Sequence, residues 1–387
     1  MAVQYQAGMR DAVAATSSIC EVNGAAGALR YRGYDIADLA AHASYEEVVA
    51  LLWDGELPSA PALVRLTAGL AAQRTPPPAV FSAMRQFPPA AHPLEALRAA
   101  VAVAAMHDPD ARDNSPEANR RKSARLVAQT ATLVAAWARI RGGAEVIPPD
   151  AAAAYAANFL WMLSGRQPDP ASVEAMEAVL VLHAEHEINA STFAARVVTA
   201  TVSDLYSAVI AAICALKGPR HGGANEDVLA MLEEIGTPAR AEPFIRGRLE
   251  ARARMSREER ADPRNRIPGW GHAVYRVHDP RAARLRALAH RAAERTGTTG
   301  YAEIADEICR VMSAETDLPA NVDFFSAVVY KALGIPIDLC TSVFAVSRMA
   351  GWCAHIMEQF ADNRLIRPRA QYTGPAPRAF VPLAARG

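Results

Sequence analysis

Three features of this 387-residue chain predict a mainly α-helical fold. Apolar residues recur mostly at the three- and four-residue spacing of a helix face. Ala, Leu, Glu and Arg, all strong helix formers, dominate the segments between Pro and Gly breaks, and few runs alternate as strands do.

The best-marked helix opens at Ser44. Ser44 followed by Glu47 reads as a capping box before the apolar stripe Val48 to Trp53, and Gly55 stands where that helix must stop. The same spacing predicts helices over about 95–107, 119–141, 150–165, 171–190, 196–216, 225–235, 241–260, 279–297, 301–315, 323–333 and 339–360. Between them lie the breaks TPPPA, IPPD, QPDPA, KGPRHGG, DPRNRIPGWGH and LPANVD, three of which set an acid or a histidine beside a helix start. No repeat of solenoid period is visible. The stretch from Arg367, RPRAQYTGPAPRAFVPL, is too rich in proline for helix and is expected to wrap over a neighbour.

Composition limits the function classes. Apolar residues make up 51% and charged residues 21%, as in globular proteins, and the length suits one large domain or two to three ordinary ones. Lys plus Arg and Asp plus Glu are both 41, so no global field favours nucleic acid or an anionic membrane surface. Apolar runs such as 151–165 are too short for a membrane span, and MAVQYQAGMRDAVAATSS, with Arg10 and Asp11, has no apolar centre for a signal peptide. Cys20, Cys214, Cys309, Cys340 and Cys353 are scattered and odd in number, which points to a reducing, cytoplasmic setting.

Five constellations carry chemistry. In LHAEHEINAST, His183 and His186 lie one turn apart, but the order H-x-x-H-E matches no zinc-protease pattern. His183 continues the apolar line of Met176, Val179 and Leu180 and reads as a hydrogen-bonded core residue; His186 and Asn189 share a face that the helix end can turn to a ligand. In KGPRHGGANED, Gly218-Pro219 ends one helix, Gly222-Gly223 permit a tight turn, and an acid-rich helix start follows. A histidine there feels the positive helix terminus, which favours neutral imidazole, able to donate a hydrogen bond to a carbonyl as an enol forms. The alternative is that His221 only caps.

In IPGWGHAVYRVHDPR, a glycine loop exposes backbone groups around His272, and Asp279-Pro280 opens a helix with Arg281 in its first turn. A cation at that end should be there to meet an anion. Arg264 and Arg266, at the end of an arginine-rich stretch, are placed to attract a polyphosphate. In ANVDF, Asp323 is either an N-cap or a carboxylate that takes a proton from carbon. Arg348 lies in a strongly apolar helix and needs a carboxylate, from a di- or tricarboxylate substrate or from an internal acid; Arg367 and Arg369 follow downstream. Two neutral-type histidines, one aspartate and several arginines describe proton abstraction beside a carbonyl with a carboxylate-rich co-substrate. No nucleophile motif, P-loop or dinucleotide fingerprint competes.

With these motifs in this order, the chain resembles the citrate synthase family. The resemblance runs through LRYRGYDIADLA, LLWDGELP, HPLEALRAAV, LHAEHEINASTFAARVV, KGPRHGGANEDVLAML, GWGHAVYRVHDPRA, ANVDFFSAVVYKALGIP and SRMAGWCAHIMEQFADNRLIRPRAQYTGP. It implies an all-α fold with a large domain, 1–221 plus 329–387, a small inserted domain, 222–328, and an active site in the cleft between them. Carried over by motif, Asp323 would deprotonate the methyl of acetyl-CoA, His221 would stabilise the enol, and His272 would polarise and protonate the carbonyl of oxaloacetate. His186, with Asn189, Arg281, Arg348 and a partner-derived Arg367, would bind oxaloacetate. Arg266, Ile267, Pro268, Gly269 and Gly271 would form the CoA loop.

The resemblance further implies a homodimer, no metal and no cofactor beyond the CoA substrate. Ala273, Arg220 and Phe325-Ser326-Ala327 depart from common family residues without removing a catalytic group, and the absence of a long N-terminal extension favours a plain dimer. The rival within the class is 2-methylcitrate synthase acting on propionyl-CoA, since one methylene discriminates by only about 1–3 kcal/mol. Rivals from other classes are a non-catalytic helical scaffold or binding protein and a metal hydrolase around His183 and His186.

Overall fold

The structure, a computed structural model, describes residues 7–9 and 12–386. Arg10 and Asp11, which count against an apolar leader in the sequence, lie outside them. Ahead of the helices the chain makes a small antiparallel sheet that helical spacing did not announce. Its strands are β1 (Cys20–Asn23), β2 (Ala28–Tyr31) and β3 (Tyr34–Asp35), in that order across the sheet, with Cys20 opposite Tyr31 and Arg30 opposite Asp35. On β2 the buried Leu29 and Tyr31 alternate with half-exposed neighbours, so one face packs inward. The strands are too short to stand out from the background of apolar residues.

Seventeen α-helices follow among the described residues. They are α1 (Ile36–His42), α2 (Tyr45–Asp54), α3 (Ala60–Ala71), α4 (Pro78–Met84), α5 (Pro93–Met106), α6 (Pro116–Arg141), α7 (Tyr155–Ser164), α8 (Pro170–His183) and α9 (Ala190–Ala200). After these come α10 (Leu205–Leu216), α11 (Ala224–Ile235), α12 (Pro238–Ala253), α13 (Arg257–Ala261), α14 (Ala282–Thr296), α15 (Thr299–Glu315), α16 (Val322–Ala332) and α17 (Cys340–Ala361). The capping box at α2 forms as expected: Ser44 accepts from Glu47 N, the Glu47 carboxylate accepts from Ser44 N at 2.7 Å, and Gly55 closes the helix in the left-handed region.

Three expected helices end or divide sooner than their apolar spacing suggested, because local polar chemistry overrides it. The helix expected to reach 190 stops at His183; Glu187 takes a positive φ of 55°, and Asn189 caps a new helix. The helix expected over 196–216 is two, divided where Val202 has φ 66° and the Asp204 carboxylate accepts from Ser207 N at 3.0 Å. The one expected over 241–260 also divides, at a further capping box built by Ser256 and Glu259. Helices α1, α3 and α4 were not expected at all.

Two packing groups result. Nearly every residue of α17 from Cys340 to Ile356 is buried, and it packs against α2, α6, α8, α9 and α10, the pattern of a helix apolar all round. Helices α11, α12, α14, α15 and α16 pack among themselves, and α14 and α16 also touch α8. The chain beyond Asn363 has almost no regular structure and is exposed, as its prolines require. None of the described helices is long and apolar enough to cross a membrane.

Candidate active site

The loops before α14 and α16 are sewn together by their backbones. Gly271 N donates to Pro319 O at 2.8 Å, Asn321 N donates to Gly269 O at 2.9 Å, and the Asn321 side chain donates to Gly271 O at 2.9 Å. Gly269, at φ 75°, lies so close to Phe324 and Val228 that a Cβ would meet both at 2.8 Å. The N-cap of α16 is Asn321, whose side-chain oxygen accepts from Asp323 N at 3.0 Å. Asp323 is therefore not the cap; it stands in the first turn with its carboxylate free for other work.

Asp279 fixes the same region from below. Its carboxylate receives Arg281 Nε and Nη2, each at 2.8 Å, Arg281 N at 3.1 Å and Val322 N at 3.0 Å. Both side chains are buried. The anion that Arg281 meets is thus an internal one. Burial works against ionising Asp279, but the guanidinium holds its carboxyl below the usual range. Arg348 differs. It is buried, its Nε donates to His183 O at 2.6 Å, its guanidinium lies 4.7 Å from the Phe344 ring centre, and it has no ion pair among the described residues. Burial lowers its pKa, and Glu185, the main opposing charge, is bonded to His355 at 2.9 Å instead. A buried cation with unpartnered donors is a site for an anion.

The histidines separate by role. His183 donates from Nδ1 to Val179 O at 2.9 Å and packs edge-on to Phe344, so it is the core residue expected; burial lowers its pKa to about 3. His186, beyond the end of α8, is buried with its Nε2 3.1 Å from the Tyr275 hydroxyl and its ring centre 5.2 Å from that of His272. Burial, then Arg281, push its pKa well down. The helix face expected to carry His186 with Asn189 does not exist. Asn189 caps α9, its oxygen accepting from Ser191 N at 3.1 Å and Thr192 N at 3.0 Å.

Backbone donors set the tautomers of the other two rings. Ser191 N donates to His221 Nε2 at 3.3 Å, beside a Ser191 hydroxyl at 2.8 Å that also receives the Trp352 indole N–H at 3.1 Å. An N–H can only donate, so Nε2 bears the lone pair and the proton sits on Nδ1, which has no partner among the described residues. His272 is the mirror case: its Nδ1 accepts from Val274 N at 3.0 Å and Tyr275 N at 3.2 Å, leaving the proton on an unpartnered Nε2. Burial, helped by Arg348 at His221 and by Arg281 at His272, lowers each pKa to about 4. Asp323 moves the other way: burial raises its pKa to about 6, against the pull of Arg281 and Arg348. Two neutral N–H donors and a poised carboxylate thus share the field of two buried arginines, the division of titratable groups that enolisation needs.

A family model described as citrate synthase, C-terminal domain, matches residues 8–369. The chain belongs to the citrate synthase family. Among its relatives in the family, citrate synthase 2 of Bacillus subtilis is 46% identical over 98% of both chains, and the 2-methylcitrate synthase of Mycobacterium tuberculosis is 41% identical over 95% of this chain and 90% of its own. The citrate synthase of Pyrobaculum aerophilum has a TM-score of 0.88 at 38% identity, covering 98% of this chain and 95% of its own. That of Thermoplasma acidophilum, solved as a ternary complex with carboxymethyl coenzyme A and oxaloacetate, has a TM-score of 0.89 at 31% identity over 99% of this chain and all of its own. The all-α family fold expected from the motifs is the fold found.

Of the remaining predicted site residues, Ile267 and Gly269 are buried, Pro268 and Gly271 half-buried, and Arg266 exposed with no ion pair among the described residues. Arg264 is bound to Asp262. Arg367 is exposed in the C-terminal segment and also unpaired among them. A cavity of about 570 Å³ lies elsewhere, between residues 14–18 and 362–366, and none of the predicted site residues lines it. Asp279, Ser191, Tyr275 and Asn321 were not singled out as site-builders; Asp279, before Pro280 at a helix opening, and Asn321, a cap residue two before Asp323, carried a local signal.

Replacing Asp279 with Asn leaves Arg281 buried without its charge. We expect a loss of about 3 kcal/mol or more in unfolding free energy, measured by urea denaturation. An unchanged midpoint would show that the pair does not hold the two helix starts.

Proposed function

We propose that this chain condenses acetyl-CoA with oxaloacetate and hydrolyses the citryl-CoA so formed to citrate and CoA. The observation that supports the reading is the opposed tautomers of His221 and His272, each leaving an N–H without a partner among the described residues, together with a carboxylate whose pKa is raised to about 6. A thioester α-proton is too weakly acidic for a lone carboxylate, so the base requires a donor on the developing oxyanion.

Asp323 takes a proton from the acetyl methyl while His221 Nδ1–H hydrogen-bonds the thioester oxygen. The enol carbon then attacks the oxaloacetate carbonyl, whose oxygen gains the proton of His272 Nε2 as the carbon–carbon bond forms. Arg348 and the free edge of Arg281 bind the oxaloacetate carboxylates with His186, and Arg367 of a second copy completes the set. Asn189, committed to its cap, frames the site. Arg266 and the loop Ile267, Pro268, Gly269 and Gly271 receive CoA. No cofactor or metal ion takes part.

The cleft reading divides the chain into a large unit, 1–221 with the C-terminal part, and an inserted unit from 222. The inserted unit is read as 222–328, a bound that falls within α16. The exposed C-terminal segment, with Leu365, Tyr372 and Phe380 uncovered, supports a homodimer. Five unpaired cysteines support a cytoplasmic location. The second reading, 2-methylcitrate synthesis from propionyl-CoA, is favoured by the relative of that name at 41% identity.

Asp323→Asn and His221→Ala should each lower kcat by at least ~100-fold without changing the circular dichroism spectrum; near-normal turnover in either would defeat the mechanism. Because the base must be ionised, activity should fall as pH drops through about 6, whereas the histidines, neutral above about 4, should leave no second limb in that range. A kcat/KM profile flat from pH 7 to 5 would contradict the assignment. Arg367→Ala mixed with Arg348→Ala should regain activity through hybrid sites; confirmed heterodimers without recovery would place Arg367 outside the partner's site. Comparing kcat/KM for the two acyl-CoAs decides between the readings, and a strong propionyl preference would select the second.

A further inference from the structure

The turn between β1 and β2 presses on the loop that carries His272, and the contact leaves no room for a side chain. Arg276 N donates to Gly24 O at 2.9 Å. A Cβ on Gly24 would lie 2.2 Å from Val274 O and 3.0 Å from Val274 Cγ1. Farther along the same turn, a Cβ on Gly27 would lie 2.6 Å from the ring of His278. Gly24 is not among the residues with positive φ, so what it supplies is space rather than backbone freedom.

Val274 O and Tyr275 N belong to one rigid trans peptide plane. Its oxygen faces Gly24, and its N–H is one of the two that donate to His272 Nδ1, the other being Val274 N. Any displacement of the oxygen by a Cβ turns that plane and draws the N–H off the ring.

We infer that Gly24 is a positioning residue for His272: by admitting Val274 O against its Cα, it holds the peptide that keeps the His272 proton on Nε2. The inference rests on the proposed role of His272 in polarising the substrate carbonyl. With a side chain at position 24, the ring keeps only the Val274 N–H of its two donors, its tautomer is held less firmly, and it can offer the carbonyl a lone pair instead of a donor.

Gly24 lies in a half-exposed turn, so Gly24→Ala leaves the core intact. Gly33→Ala is the control: Gly33 joins β2 to β3 at φ 89° with nothing within 4 Å of its Cβ position, so its replacement strains the sheet without touching the loop. In ¹⁵N-histidine spectra of the ligand-free protein, His272 should be a single Nε2–H tautomer in the wild type and in Gly33→Ala, and a mixture in Gly24→Ala. In turnover, Gly24→Ala should lose ~10-fold or more in kcat while the oxaloacetate KM stays within ~3-fold. A single tautomer in Gly24→Ala, or the same kcat loss in Gly33→Ala, overturns the inference. A tautomer change in a protein whose wild type makes no citrate would uphold the positioning and defeat the proposed function.

Discussion

The buried carboxylate of Asp279 holds the site together. It joins the guanidinium and backbone of Arg281, at the start of α14, to the backbone N–H of Val322, at the start of α16. Two helix N-termini are thereby fixed around one anion, where unsatisfied backbone donors and positive dipole ends favour negative charge. Asp323 follows Val322 directly, and His272 hangs from a loop tied to Asn321. The spacing of Asp323 and His272 is therefore set by a buried ion pair rather than by flexible side chains. Such a pair is costly to desolvate and is retained where it specifies geometry.

Burial then acts on the neighbours with opposite results according to their charge type. It keeps His221 and His272 neutral and raises Asp323, while Arg348 stays unpaired among the described residues. A buried cation without an ion-pair partner is complementary to an anion, whose carboxylate would relieve its desolvation cost. The same desolvation that leaves Arg348 receptive to an anion also shifts the two histidines down and Asp323 up.

Protonation state alone does not aim a proton, because a neutral imidazole has two tautomers. Here three backbone N–H groups make the choice, one at His221 and two at His272. Each donor belongs to an element placed by its own close contacts: Ser191 in the first turn of α9 beside Trp352, and the Val274 peptide against Gly24. The proton positions of both rings therefore depend on packing from residues distant in sequence.

Helix content, the capping box at Ser44, the breaks around His221 and His272, and the identity of the titratable side chains were legible along the chain, since periodicity, caps and glycine turns are local properties. The strands of residues 20–35 were not, because they are too short to show a period; nor were the divisions at 184–189 and 201–204, where Asn189 and Asp204 end an apolar pattern that continues across them. His221 was expected to be neutral from the helix start that follows it, and it is neutral chiefly through burial, with Arg348 adding to it. The sequence by itself determined which groups are available for acid, base and anion-binding work. Only the tertiary structure decided that Arg281 is ion-paired with Asp279 while Arg348 is not, that Asn321 rather than Asp323 caps α16, and which nitrogen of each ring holds the proton. Those outcomes depend on desolvation and on contacts between segments far apart in the chain, which no local pattern encodes.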